Sequence, residues 1–210
     1  LGTPNNKLIQ MPKIAMIVGK GMGIPDNGEI WHMLDKHFGI PPTLIEFTTL
    51  HNRDLSAYNV IILANGSPTE TLSPAALPKL KEWVENGGTL ITTGSAYKLT
   101  NKAKITDFKT LSQGKKKEKV EGNAHIEYKP YHNTAKAKLG IEGVIFNCHL
   151  DITSPLGYGY ENPNVAIMKN GTTVMDFSQI KGSSPMQYTK QPYLSGCVSL
   201  ENIKRISNAP

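Results

Sequence analysis

Three short stretches carry side chains whose type and spacing suggest chemistry. Thr93-Gly94-Ser95-Ala96 places a serine at the end of an apolar run. A strand-to-helix turn there would lift the hydroxyl to the sheet edge as a nucleophile. Only one glycine flanks Ser95, not the pair of a Gly-x-Ser-x-Gly elbow, so an ordinary loop start fits equally. Asn65-Gly66-Ser67-Pro68 ends another apolar run. Its backbone N–H groups suit an oxyanion hole, and its Gly and Pro suit a plain turn. The third stretch is the glycine loop Gly19-Lys-Gly-Met-Gly-Ile-Pro-Asp-Asn-Gly28. A dinucleotide fingerprint needs Gly-x-Gly-x-x-Gly opening a helix directly, and here the sixth position is Ile24. No Ser or Thr lies between Gly19 and Gly28, which disfavours a flavin phosphate.

The cysteines and histidines offer less. Cys148 and His149 are sequence neighbours, so on a strand they point to opposite faces and form no dyad. Cys148 fits a small buried hydrophobe, whereas Cys197 follows Gly196 ahead of a predicted helix and is the better elbow candidate. The six histidines are His32, His37, His51, His125, His132 and His149, and none has a zinc-ligand spacing. On an α-helix His32 and His37 diverge by about 140°. Two cysteines exclude a disulfide framework, and whether they pair is open.

The elements that must hold these residues are legible as alternating patterns. Lys13–Gly19 and Asn59–Gly66 are short apolar runs, the pattern of strands buried on both faces, and Thr89–Gly94 predicts a further strand. Pro42–Phe47 predicts another strand. Glu29–Phe38 has helical spacing, with Ile30, Trp31, Leu34 and Phe38 on one face, Asp26 or Asn27 as cap and Gly39 as stop. Ser73-Pro74 starts a second helix with Leu77, Leu80, Trp83 and Val84 inward, ended by Asn86-Gly87-Gly88. Together these predict an α/β fold with a mostly parallel sheet. Further on, 99–123 predicts a Lys-rich surface insertion and 131–139 a short helix. Val144–Leu150 predicts a strand, 165–175 a β-hairpin turning at Asn170-Gly171, and Ser199–Ile206 a helix. Residues 1–11 predict a linker, and 12–210 a single domain.

Composition sets the outer bounds. The chain has 210 residues, 39% hydrophobic and 19% charged, enough for a sizeable core and unlike a disordered chain. No run reaches 18 apolar residues, so no membrane span is expected. The net charge of +6 is concentrated in Lys115, Lys116, Lys117 and Lys119, with no interleaved aromatic residue, so nucleic acid is not an expected partner.

Four segments carry a family resemblance: Lys13–Gly21, Gly28–Leu34, Leu80–Ser95 and Asp151-Ile-Thr-Ser-Pro-Leu-Gly-Tyr-Gly-Tyr160. Across about 12–206 the chain resembles the region C-terminal to the catalytic domain in secreted zinc carboxypeptidases of the carboxypeptidase A type from Bacteroidetes-like bacteria. That region is similar to class I glutamine amidotransferases. The resemblance implies a three-layer flavodoxin-like α/β sandwich, a fragment of a larger protein, and secreted or periplasmic localisation. Active amidotransferases use a Cys–His–Glu triad; here the elbow position is Ser95 and no matching His–Glu pair is visible. The resemblance therefore implies a non-catalytic accessory domain. It has no cofactor of its own, zinc belonging to the separate peptidase domain, and its partner is the peptidase domain of the same polypeptide. A peptide or glycan would bind in the loops at 19–28, 65–68 and 94–98, through Gly21, Asp26, Asn65, Gly66, Ser95 and Tyr97. The alternative is a serine hydrolase or amidotransferase relative using Ser95, which requires a base within hydrogen-bond reach. A nucleotide or flavin module is a third reading, checked by colour or retained ligand.

Overall fold

A computed structural model describes residues 11–66, 75–111, 140–180 and 182–210. Ser67-Pro68, Ser73-Pro74, the 115–119 lysine run, 131–139 and most of the predicted linker lie outside these residues. The chain divides into two compact units, 1–107 and 108–210.

The first unit is built on β1 (Ile14–Val18), β2 (Thr43–Glu46), β3 (Val60–Leu63) and β4 (Thr89–Thr92). All pairings are parallel, in the order β2-β1-β3-β4. This is the flavodoxin-like doubly wound order, with a switch point between β1 and β3. Continuous apolarity in β1 is explained by two covered faces. Ile14 and Met16 meet Ile62, with Ile30 and Leu34 packed on them. Ala15 and Ile17 join Ile61, Leu63, Leu80 and Trp83 on the other side. The two layers are carried by α1 (Ile24–His32) and α2 (Ala76–Glu85). A short α3 (Tyr97–Lys102) follows β4, helical where the Lys-rich insertion was expected to begin.

The first helix starts earlier than its apolar spacing predicts. Gly23 is its N-cap, Pro25 lies in its first turn, and Asp26 sits there too, against the positive end of the dipole. Asn27 is no cap: its side-chain amide donates back to the Gly23 carbonyl at 2.8 Å. From Met33 to His37 the backbone is π-helical, closed by Phe38 N–H donating to the Met33 carbonyl at 3.2 Å. Of the expected apolar face, Ile30 and Leu34 point inward, while Trp31, still in the regular helix, and Phe38, just past the π turn, are exposed. The wider turn brings residues five apart together: the His32 and His37 rings meet edge-on at 5.4 Å, contrary to α-helical arithmetic.

In the second unit β5 (Val144–Leu150) is the central strand of an antiparallel sheet, β6-β5-β7, with β6 (Asn164–Lys169) and β7 (Met186–Ser195). An antiparallel sheet includes the first arm of the hairpin expected near 165–175, but β6 pairs with β5 and not across Asn170-Gly171. Asn170-Gly171 turns the chain, yet its contacts go elsewhere: Gly171 N–H donates to the Ile141 carbonyl and the Asn170 side chain accepts from Gly143 N–H. A final helix, α4 (Leu200–Ile206), is capped by the Ser199 hydroxyl, which accepts from Asn202 N–H at 3.2 Å. Ile206 packs with Val144 and Phe146 in this unit's core.

Candidate functional site

Open α/β sheets bind ligands at the carboxyl ends of their strands, beside the switch point. In the first unit the loops after β1, β3 and β4 meet there. They bring together Gly21, Asp26, Asn65, Gly66 and Ser95, five of the six residues singled out in the sequence. Gly23 N–H donates to the Asn65 carbonyl at 2.7 Å, and Met22 and Gly66 form an antiparallel bridge. The Asn65 side-chain amide lies 3.5 Å from an Asp26 carboxylate oxygen. Tyr97, the sixth, is half-buried at the start of α3, where its carbonyl accepts the Thr100 hydroxyl at 2.8 Å.

Ser95 is the centre of this arrangement. Its N–H donates to Asn65 Oδ1 at 3.0 Å. Its hydroxyl has two acceptors for one proton, Asn65 Oδ1 at 2.8 Å and the Gly66 carbonyl at 3.0 Å, and it accepts from Gly66 N–H at 3.2 Å. A side-chain amide oxygen is not a base at neutral pH. Among the described residues no histidine or carboxylate is hydrogen-bonded to the Ser95 hydroxyl. Nor does Ser95 have elbow strain. The positive φ, +53°, belongs to Gly94, whose hydrogen faces Asn65; a Cβ there would sit 2.6 Å from the Asn65 side chain. Gly66 is pressed as closely, since a Cβ on it would meet the Gly21 carbonyl oxygen at 2.6 Å. The Gly66 N–H proposed for an oxyanion is directed at the serine itself. The geometry therefore laces three loops together.

The cysteines stand apart from each other. Both are free thiols, Cys148 buried and Cys197 exposed. Cys148 and His149 point to opposite faces of β5, as strand alternation requires, and burial pushes the Cys148 thiol up to about 11. Its thiolate is thus suppressed at neutral pH. Among the described residues no group of three or more His, Cys, Asp or Glu side chains is placed to hold a metal ion. No helix among them is long and apolar enough to cross a membrane.

No protein-family model matches the chain, and no curated protein matches its sequence. Among solved structures it is similar to the crystal structure of a candidate GMP synthase component from Thermoplasma acidophilum. The TM-score is 0.46 and the identity 8%, over 80% of this chain and 68% of that one. At that level the likeness carries no assignment of activity. The flavodoxin-like order of the first unit rests on its own strand pairings.

The Asn65–Ser95 link had one sequence signal: both residues directly follow predicted strands. The His32–His37 contact had none, because nothing local marks a π turn.

Proposed function

We propose that this chain is a non-catalytic binding or scaffolding unit. The observation that carries this reading is the Ser95 hydroxyl. Its proton is committed to Asn65 or Gly66, and no base among the described residues is bonded to it. Activation of a serine requires an adjacent proton acceptor, and among the described residues the side chain bonded to it is an amide. The finer reading places the unit as an accessory region of a secreted zinc carboxypeptidase-like protein, with the peptidase domain of the same polypeptide as partner and a peptide or glycan as ligand. Its support is the sequence resemblance across 12–206, and zinc would belong to the peptidase domain.

The test is labelling of the purified chain with a fluorophosphonate, together with hydrolysis of p-nitrophenyl acetate. Parent and Ser95→Ala should be indistinguishable in both. Labelling at Ser95, or hydrolysis lost on Ser95→Ala, overturns the reading and establishes the serine hydrolase instead.

A further inference from the structure

The opposite, amino end of the first unit's sheet holds a cavity of about 490 Å³. That volume is within the roughly 300–1,000 Å³ of small-molecule sites. Asp54–Asn59, the segment entering β3, forms one side. The last turn of α2 and Asn86-Gly87-Gly88, entering β4, form the other.

Its apolar wall is Trp83, Tyr58 and Leu55. The indole is held in place. Its N–H lies 3.0 Å from the Leu55 carbonyl and 3.3 Å from that of Tyr58. The Gly88 backbone lies against the ring so closely that a Cβ there would be 2.5 Å from the ring carbons. Asn86-Gly87-Gly88 thus both ends α2 and lets the chain pass the indole.

The polar wall is asymmetric in charge. Asp54 and Glu82 supply two carboxylates and Lys79 one ammonium. Lys79 Nζ donates to the His51 carbonyl at 3.0 Å. Asp54 accepts Ser56 N–H at 2.9 Å, and that bonding, with the nearby Lys79 charge, holds its carboxyl below the usual value. The carboxyl end of the ten-residue α2 adds the negative pole of its dipole, with no basic side chain in the last turn to offset it.

We propose that this cavity binds a cation on an apolar body, with the chemistry of an arginine side chain in a peptide. The guanidinium faces the carboxylates of Asp54 and Glu82 at the end of α2, and the apolar part lies on Trp83 and Tyr58. Such a group gains charge-assisted hydrogen bonds and the attraction of aromatic faces for cations. The proposal uses other residues than the Ser95 reading and stands independently of it.

The probe is N-benzoyl-arginine amide, titrated into the whole chain and followed through the tryptophan indole N–H resonances. There are two tryptophans, so Trp83→Phe assigns the signals. The expected result is saturable movement of the Trp83 signal with the exposed Trp31 signal unmoved. Glu82→Gln should weaken binding about tenfold, as loss of a charge-assisted bond implies. The uncharged N-benzoyl-citrulline amide should bind the parent protein about tenfold more weakly or worse. An unmoved Trp83 signal at millimolar probe overturns the proposal, as does equal binding of the uncharged analogue. Wild-type affinity in a folded Glu82→Gln variant does the same. The analogue comparison needs no variant, so it decides even if the substitution disturbs folding.

Discussion

The carboxyl and amino ends of one parallel sheet differ in how their loops are filled. At the carboxyl end, three loops following β1, β3 and β4 are tied by backbone and side-chain hydrogen bonds around Ser95, with Gly66 and Gly94 in closest approach. At the amino end, the segments entering β3 and β4 stand around a fixed indole and leave about 490 Å³ open. Polar side chains serve opposite purposes at the two ends. Asn65 and Ser95 bond to one another and to Asp26 and Gly66 of the neighbouring loops. Asp54 and Glu82 line open space, where a carboxylate keeps acceptor capacity for a ligand. Among the described residues, the polar groups of the carboxyl end are thus bonded to one another, and those of the amino end face open space.

The largest effect expected concerns the amino end. Trp83→Ala removes a 9%-exposed indole from the core and should cost about 4 kcal/mol, read from urea unfolding. A cost below about 1 kcal/mol would mean that the ring is a surface flap and the cavity wall is not fixed. At the carboxyl end, Gly66→Ala pushes a methyl against the Gly21 carbonyl and Met22 Cα, both backbone. We expect a loss of about 2–3 kcal/mol; an unchanged midpoint would show that the lacing is loose. Ser95→Ala is smaller. It strands the Gly66 N–H and leaves Asn65 Oδ1 with only the backbone N–H of residue 95, which should cost about 1 kcal/mol. Stability should fall there while hydrolysis stays at background, separating a structural serine from a nucleophile.

The smallest effect is one of pH. The folded-state carboxyl of Asp54 is depressed, so its contribution is present above the ordinary value of 3.8 and is lost as pH falls through the lower folded value. Probe binding should hold from neutral pH down to about pH 5 and weaken only below 3.8 through this group. The difference in melting temperature between parent and Asp54→Asn should shrink over the same acid range. Loss of the Asp54 contribution already around its ordinary value of 3.8, and not below it, would show that the carboxyl is not held by Ser56 and Lys79.

The core of the first unit was legible because its signals are local. Buried apolar runs mark β1 and β3, the Thr89–Gly94 run ending in glycine marks β4, and Leu77, Leu80 and Trp83 at helical spacing mark α2, with Gly87 at positive φ just past its end. The π turn was not legible, since its widened hydrogen bond leaves no residue type as a marker, and it reversed the reading of Phe38 and the two histidines. The pairing of β6 with β5 was missed for a related reason: Asn170-Gly171 does turn the chain, but strand choice depends on partners about twenty residues away.

The sequence by itself determined which residues follow the strands, and so that Asn65, Gly66 and Ser95 gather at one end of the sheet. Only the tertiary structure decided that they would bond to each other across a separation of about thirty residues. It also decided that Asp54 and Glu82, which no local pattern singles out, would join Trp83 around open space. Periodicity and capping act within a turn or two of chain, whereas loop closure and cavity formation depend on how distant segments pack, which no local pattern encodes.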